Sequence, residues 1–259
     1  MDFKKELDVA LCGANEASKI IMSYYKTSYN IEIKEDNSPV TNADKECDIF
    51  LRKYLKEKFP TYAFLTEESI DDKSRLNNDY VWIIDPVDGT KDFIAHDDEF
   101  TCNIALAYKH EVVLGIVAIP AKNTFYYALK DNGAYVIRDN KTTKIHVNEK
   151  INNLTCLKSV FHTAKNELEL MEKYSDKITK VEAVGSSIKA CYIAEGKAEI
   201  SYRLTNGTKE WDTAAFQIIV EEAGGYVLKP NKERILYNRE NVYNEGGYII
   251  INNLNNFLL

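Results

Sequence analysis

Apolar residues return at three- and four-residue steps from Phe3 through Leu7, Ala10, Ala14, Ala17 and Ile21 to Tyr24. That period predicts an amphipathic first helix. A short strand is expected at Ile-Glu-Ile-Lys (31–34), followed by a loop from Asp36 to Pro39. A second helix is expected from Thr41 to about Phe59, carrying Ile49, Leu51 and Leu55. Thr41 and Asp44 form a capping-box variant, with Asp in the place usual for Glu or Gln. YAFLT (62–66) and YVWIID (80–85) read as strands. Four β-forming runs then follow between 100 and 138: CNIALAY, VVLGIVAI, TFYYAL and AYVIR. Lys-His-Glu and Asp-Asn-Gly supply turns between them, which predicts an antiparallel meander.

The stretch 139–153 turns polar and is the candidate boundary between two parts, 1–150 and 151–259. Beyond it helices are expected at about 165–174, 186–196 and 211–223. Strands are expected near 198–202, 225–228 and 247–252, and the asparagine-rich tail is expected to end in a strand. Alternation of this kind favours an α/β layer behind an α+β first part.

Charge and cysteine content narrow the classes. The chain has 259 residues, a net charge of −7 and a pI near 5.3. That balance argues against a binder of nucleic-acid polymers, which needs a basic face. It leaves room for a small anionic substrate, because a local field can oppose the net charge. Five dispersed cysteines, with no C-x-x-C pair, argue against a disulfide framework or a zinc site and for a reducing compartment. The N-terminus shows no apolar signal core and no segment approaches 18 uninterrupted apolar residues. No membrane insertion and a cytoplasmic location are therefore expected.

The candidate chemistry lies in acids. The run WIIDPVDGTKDF ends a strand in Asp85, Asp88, Gly89 and Thr90. By themselves Asp-Pro and Asp-Gly read as a type I turn. At the carboxyl end of a strand they also fit a site, in which Asp85 and Asp88 hold hard cations and the Gly89 and Thr90 amides meet an oxyanion. FLTEES adds Glu67 and Glu68, which alone suit a solvated loop. KEWDTAA adds Asp212, which alone suits the first turn of a helix. The set is what these separate readings leave unexplained.

The order and spacing of TEES, WIIDPVDGT and EWDTAA…EEAGG resemble the inositol monophosphatase superfamily of metal-dependent, lithium-sensitive phosphatases, over essentially the whole chain. Within it DGTKDFI, EFTCNIAL, VFHTAKNELE and VGSSIKACYIAEGKAE are most similar to the CysQ-type 3′(2′),5′-bisphosphate nucleotidases. One segment departs. The nucleotidases often carry Y-P-R-[FL]-G-P-T before the W-D motif, whereas this chain has SYRLTNGTKEWD, which keeps Arg203 but neither proline.

The resemblance implies a layered α-β-α-β-α sugar-phosphatase fold. It implies two or three Mg²⁺ ions: one on Glu67, Asp85 and the Val87 carbonyl, a second on Asp85, Asp88 and Asp212, and a weaker third on Glu67. Thr90 would orient the attacking water with Glu67, Asp44 would accept from Thr90, and Gly89 and Thr90 would hold the phosphate. His162, Ser186, Lys189 and Arg203 would face the rest of a small substrate, with adenosine 3′,5′-bisphosphate first in line. Ser186 also reads as a helix cap and Lys189 as an exposed helix lysine. An inositol or sugar monophosphatase is the alternative enzyme, and a non-catalytic nucleotide-binding homologue the alternative of another class. The presence of Asp44, Glu67, Asp85, Asp88 and Asp212 together weighs against the last. A monomer or a homodimer is expected.

Overall fold

A computed structural model describes residues 2–27, 30–33 and 39–259. The first helix, α1 (Lys4–Tyr25), buries Leu7, Ala10, Ala14, Ala17 and Ile21 as its spacing requires. Its last core residue is Tyr25 rather than Tyr24, since a residue four on from Ile21 falls on the buried face. Two short strands, β1 (Ile31–Ile33) and β2 (Pro39–Thr41), pair antiparallel. Apart from Pro39, the loop expected at 36–39 lies outside the described residues, as does Lys34. Helix α2 (Asn42–Lys58) starts at a capping box. The Thr41 hydroxyl accepts from the Ala43 N–H, and Asp44 accepts from the Thr41 N–H. Leu51 and Leu55 are buried but Ile49 is exposed, because it falls on the opposite side of the helix.

A seven-stranded sheet follows. Its strands are β3 (Ala63–Thr66), β4 (Tyr80–Asp88), β5 (Thr101–Tyr108), β6 (Glu111–Ile119), β7 (Thr124–Leu129), β8 (Gly133–Arg138) and β9 (Lys141–Ile145), adjacent in that order. Only β3 and β4 are parallel; the rest is the expected meander, extended by β9 into the polar stretch. The second sheet has the order β11-β10-β12-β14-β13, from β10 (Leu154–Lys158), β11 (Ile178–Ala183), β12 (Ile200–Arg203), β13 (Tyr226–Leu228) and β14 (Tyr248–Ile251). Strands β10 and β11 were not expected, and the tail ends in a 3₁₀ turn at Leu254–Asn256 beyond β14. Three helices, α4 (Lys165–Lys173), α5 (Ile188–Ala194) and α6 (Glu210–Glu222), lie near the expected ranges.

The side-chain period of two sorts these elements into layers. Trp82 and Ile84 of β4 face α1 and α2, while Val81 and Ile83 face α5 and α6. The outer face of the second sheet packs Cys156, Ile200, Ile249 and Ile251 against Met171 of α4. The stack is therefore α-β-α-β-α. Helix α6 sits hard on the first sheet because that face is lined by Ala105, Ala107 and Gly115 opposite Ala214 and Ala215. A Cβ on Gly115 would stand 2.2 Å from the Ala215 carbonyl oxygen.

Candidate active site

The end of β4 delivers two acids to one cleft. Asp85 still pairs with Asn103, but the register then shifts, and Asp88 pairs with Thr101. An irregularity of this kind re-aims side chains that strict alternation would send to opposite faces. Gly89 follows with φ +88°, a conformation glycine takes without strain, and a short helix, α3 (Thr90–Ala95), begins at Thr90. The third acid arrives on α6. Asp212 is the third residue of that helix and caps it through the Lys209 N–H, so it serves the helix and still offers an oxygen to the cleft. One oxygen each from Asp85, Asp88 and Asp212 lie within 4.8 Å of one another.

Such a cluster is costly without cations. Asp85 is buried, and its carboxyl is driven well above the usual range by that burial first and then by the charges of Glu67, Asp88 and Asp212. Burial, then Asp88 and Glu67, push Asp212 up to about 8. Asp85 also accepts from the Val87 N–H at 3.1 Å, which holds the turn, and Val87 lines the cleft. Oxygens 2.0–2.1 Å from one Mg²⁺ stand at most about 4.2 Å apart, so this all-oxygen set closes on hard cations with small shifts.

Beside the acids, the Thr90 hydroxyl lies 3.2 Å from Asp44 Oδ1 and 3.3 Å from the Val87 carbonyl oxygen. Asp44 is buried, which raises its pKa; the Thr41 hydrogen bonds oppose that shift and Glu67 adds to it. Glu67, just past β3, lines the same cleft, so it is not a loop acid in solvent. The cleft encloses about 350 Å³. Its lining also includes His162, Ser186, Lys189 and Arg203; Asp44 is not in the lining and touches the site only through Thr90, and Glu68 is not in the lining either.

Their local settings differ from the simplest readings. Ser186 does not cap α5; it has φ +44° and its hydroxyl is enclosed without a partner among the described residues. Lys189 is not an exposed lysine. Its ammonium donates to the carbonyls of Val184 (3.1 Å) and Ser186 (2.6 Å), and burial lowers its pKa despite Asp88 and Asp92 nearby. Arg203 donates to the His162 carbonyl. The His162 ring has its pKa lowered by burial, then by Lys91, Arg203 and Lys189.

Three residues were missed. Ser187 donates to Asp88 Oδ2 twice, from its N–H at 2.7 Å and its hydroxyl at 2.6 Å. Asn103 (3.3 Å) and Thr101 (3.2 Å) add donors to the same oxygen. These bonds fix one oxygen of Asp88 and leave the other for the cleft. The available signal was a pair of polar residues, Thr101 and Asn103, at alternate positions of an otherwise apolar strand.

Clustered acids at a strand end, a glycine turn beside them and basic residues in the cleft lining could hold cations together with an anionic ligand. The sequence pattern of the Inositol monophosphatase family matches residues 4–258, and the chain belongs to that family. It is 33% identical over 247 residues to the 3′(2′),5′-bisphosphate nucleotidase CysQ of Haemophilus influenzae, covering 92% of this chain and 90% of the relative. It is 30% identical to inositol monophosphatase 2 of Solanum lycopersicum, covering 87% of each. The crystal structure of CysQ from Bacteroides thetaiotaomicron superposes with a TM-score of 0.84 at 31% identity, over 97% of this chain and 98% of that one.

Proposed function

We propose that the protein is a Mg²⁺-dependent phosphomonoesterase that removes the 3′-phosphate of adenosine 3′,5′-bisphosphate, and of its sulfated form where that is offered. The observation that carries the reading is the convergence of Asp85, Asp88 and Asp212 within 4.8 Å in a cleft that also holds Lys189, Arg203 and His162. Glu67, Asp85 and the Val87 carbonyl would hold one cation, and Asp85, Asp88 and Asp212 another. A pair of divalent ions supplies an acidified water and neutralises charge on the phosphoryl and leaving oxygens.

The chain's own groups do the rest. Thr90 would relay a proton, its oxygen taking one from the attacking water as its own hydroxyl proton passes to the Asp44 carboxylate, and Glu67 would orient that water from the other side. The Gly89 and Thr90 amides hold the phosphoryl oxygens. Ser187, Asn103 and Thr101 keep Asp88 aimed, which limits the reorganisation needed during transfer. Lys189, Arg203, His162 and Ser186 meet the remainder of the substrate. All five cysteines are free, which suits a cytoplasmic enzyme acting as a monomer or homodimer.

A second reading, an inositol monophosphatase, is favoured by the tomato relative's name and by SYRLTNGT, which lacks the two prolines common in the nucleotidases. Phosphate release from adenosine 3′,5′-bisphosphate and inositol 1-phosphate, at equal concentration in Mg²⁺ with and without Li⁺, separates the two. A preference for the inositol ester would reject the nucleotidase assignment. No release from either would reject both.

A further inference from the structure

We propose that Tyr248 is a specificity-determining residue whose hydroxyl, together with Arg203, binds the second phosphate of a bisphosphate substrate, the one away from the cations. This rests on the phosphomonoesterase reading above and extends it to a residue outside the motifs.

The geometry begins with β14. Tyr248 opens that strand and pairs directly with Arg203 of β12 in antiparallel register. Directly opposed residues project from the same face with Cβ atoms about 4.5–5.5 Å apart. Gly246 and Gly247, both at positive φ, make this start possible. A Cβ on Gly247 would stand 1.8 Å from the Arg203 carbonyl oxygen, so only glycine lets the strand begin so tightly against Arg203. Both side chains reach the cleft. On its inner side the Tyr248 ring packs against Phe216 of α6, centroids 5.6 Å apart, so its direction is fixed.

The hydroxyl is the informative atom. A buried tyrosine usually finds a partner for it. In this chain Tyr25 bonds Asp98, Tyr126 bonds Glu195, Tyr202 bonds the Leu258 carbonyl and Tyr237 bonds Gln217. Tyr248 is buried to about the same degree as Tyr25, at 8% exposure, yet its hydroxyl makes no hydrogen bond among the described residues. It is not sealed in the core either, so its outlet is the cleft. Burial raises its pKa, and the nearby Asp212 and Asp88 add to that while Arg203 opposes it, so the group remains a proton donor. A phenol donor beside a guanidinium matches a phosphate oxygen. A small monoester held at the acids has no second phosphate to place there.

Tyr248→Phe tests this, since it keeps the ring and its contact with Phe216 and removes only the oxygen. The kcat and KM of wild type and variant are measured with Mg²⁺ on adenosine 3′,5′-bisphosphate and on p-nitrophenyl phosphate. We expect KM for the bisphosphate to rise about tenfold with kcat within about twofold, and no change on p-nitrophenyl phosphate. Unchanged bisphosphate kinetics, or equal losses on both substrates, would overturn the role of Tyr248 while leaving the enzyme reading intact. A wild-type protein that hydrolyses p-nitrophenyl phosphate but not the bisphosphate would overturn the nucleotidase reading, and the second phosphate as the ligand with it.

Discussion

Asp212→Asn should stabilise the cation-free protein at neutral and alkaline pH while abolishing turnover. In the fold the Asp212 carboxyl rises from the ordinary 3.8 to about 8. Between those values the folded chain keeps a proton that the unfolded chain has released. Stability therefore falls as pH rises through that window, and the full penalty is present above about pH 8. At about 1.36 kcal/mol per pKa unit the ceiling is about 6 kcal/mol. Water entering the cleft and side-chain relaxation reduce this to on the order of 2 kcal/mol. For a chain of this length that is about 4–8 °C in Tm. Asparagine keeps the acceptor for the Lys209 N–H and removes the charge. Thermal melts in EDTA at pH 5, 7 and 9 should show the variant least ahead at pH 5 and pulling further ahead as pH rises. Mg²⁺ should then raise the wild-type Tm by more than that of the variant, which keeps the cation site of Glu67, Asp85 and the Val87 carbonyl. Parallel melting curves across the pH range would refute the electrostatic account of the site.

Two further substitutions probe separate links. Thr90→Ala removes the hydroxyl that joins the water to Asp44, so steady-state kinetics should show kcat falling about 10²-fold or more with KM little changed; a pure KM effect would contradict the proton-relay role. Gly115→Ala drives a methyl into the Ala215 carbonyl and should cost about 3 kcal/mol or more, read as a lowered urea midpoint; a neutral result would mean that α6 does not sit where the packing puts it.

The acids were legible because each stands at an element boundary that the pattern marks, and the meander because its runs alternate between clear turns. Other elements left weaker traces. Strand β9 (KTTKI) is mostly exposed, and β11 (ITKVEA) is an edge strand with one buried residue, so neither carries an apolar run. Strand β10 is five residues long and interrupted by Thr155. The setting of Lys189 was hidden for another reason. A lysine in a helix reads as solvated, and only the fold of the preceding loop brings two carbonyls to its ammonium. The support of Asp88 by Ser187 spans 99 residues of chain, beyond the reach of any local pattern.

The close seating of α6 on the first sheet has a consequence for how such an enzyme could be retuned. The gap between Asp212 and the β4 acids is set by main-chain contact at Gly115 and Ala215, not by a loop. The groups proposed to choose the substrate stand apart from that contact: His162 before α4, Ser186 before α5, Arg203 and Tyr248 at strand ends of the second sheet. The hydrolytic machinery thus works like a fixed jig with exchangeable jaws. A library confined to residues 159–162, 203–208 and 248, with Gly246 and Gly247 kept, should move preference among phosphate esters while the cation spacing stays where the helix backbone has put it.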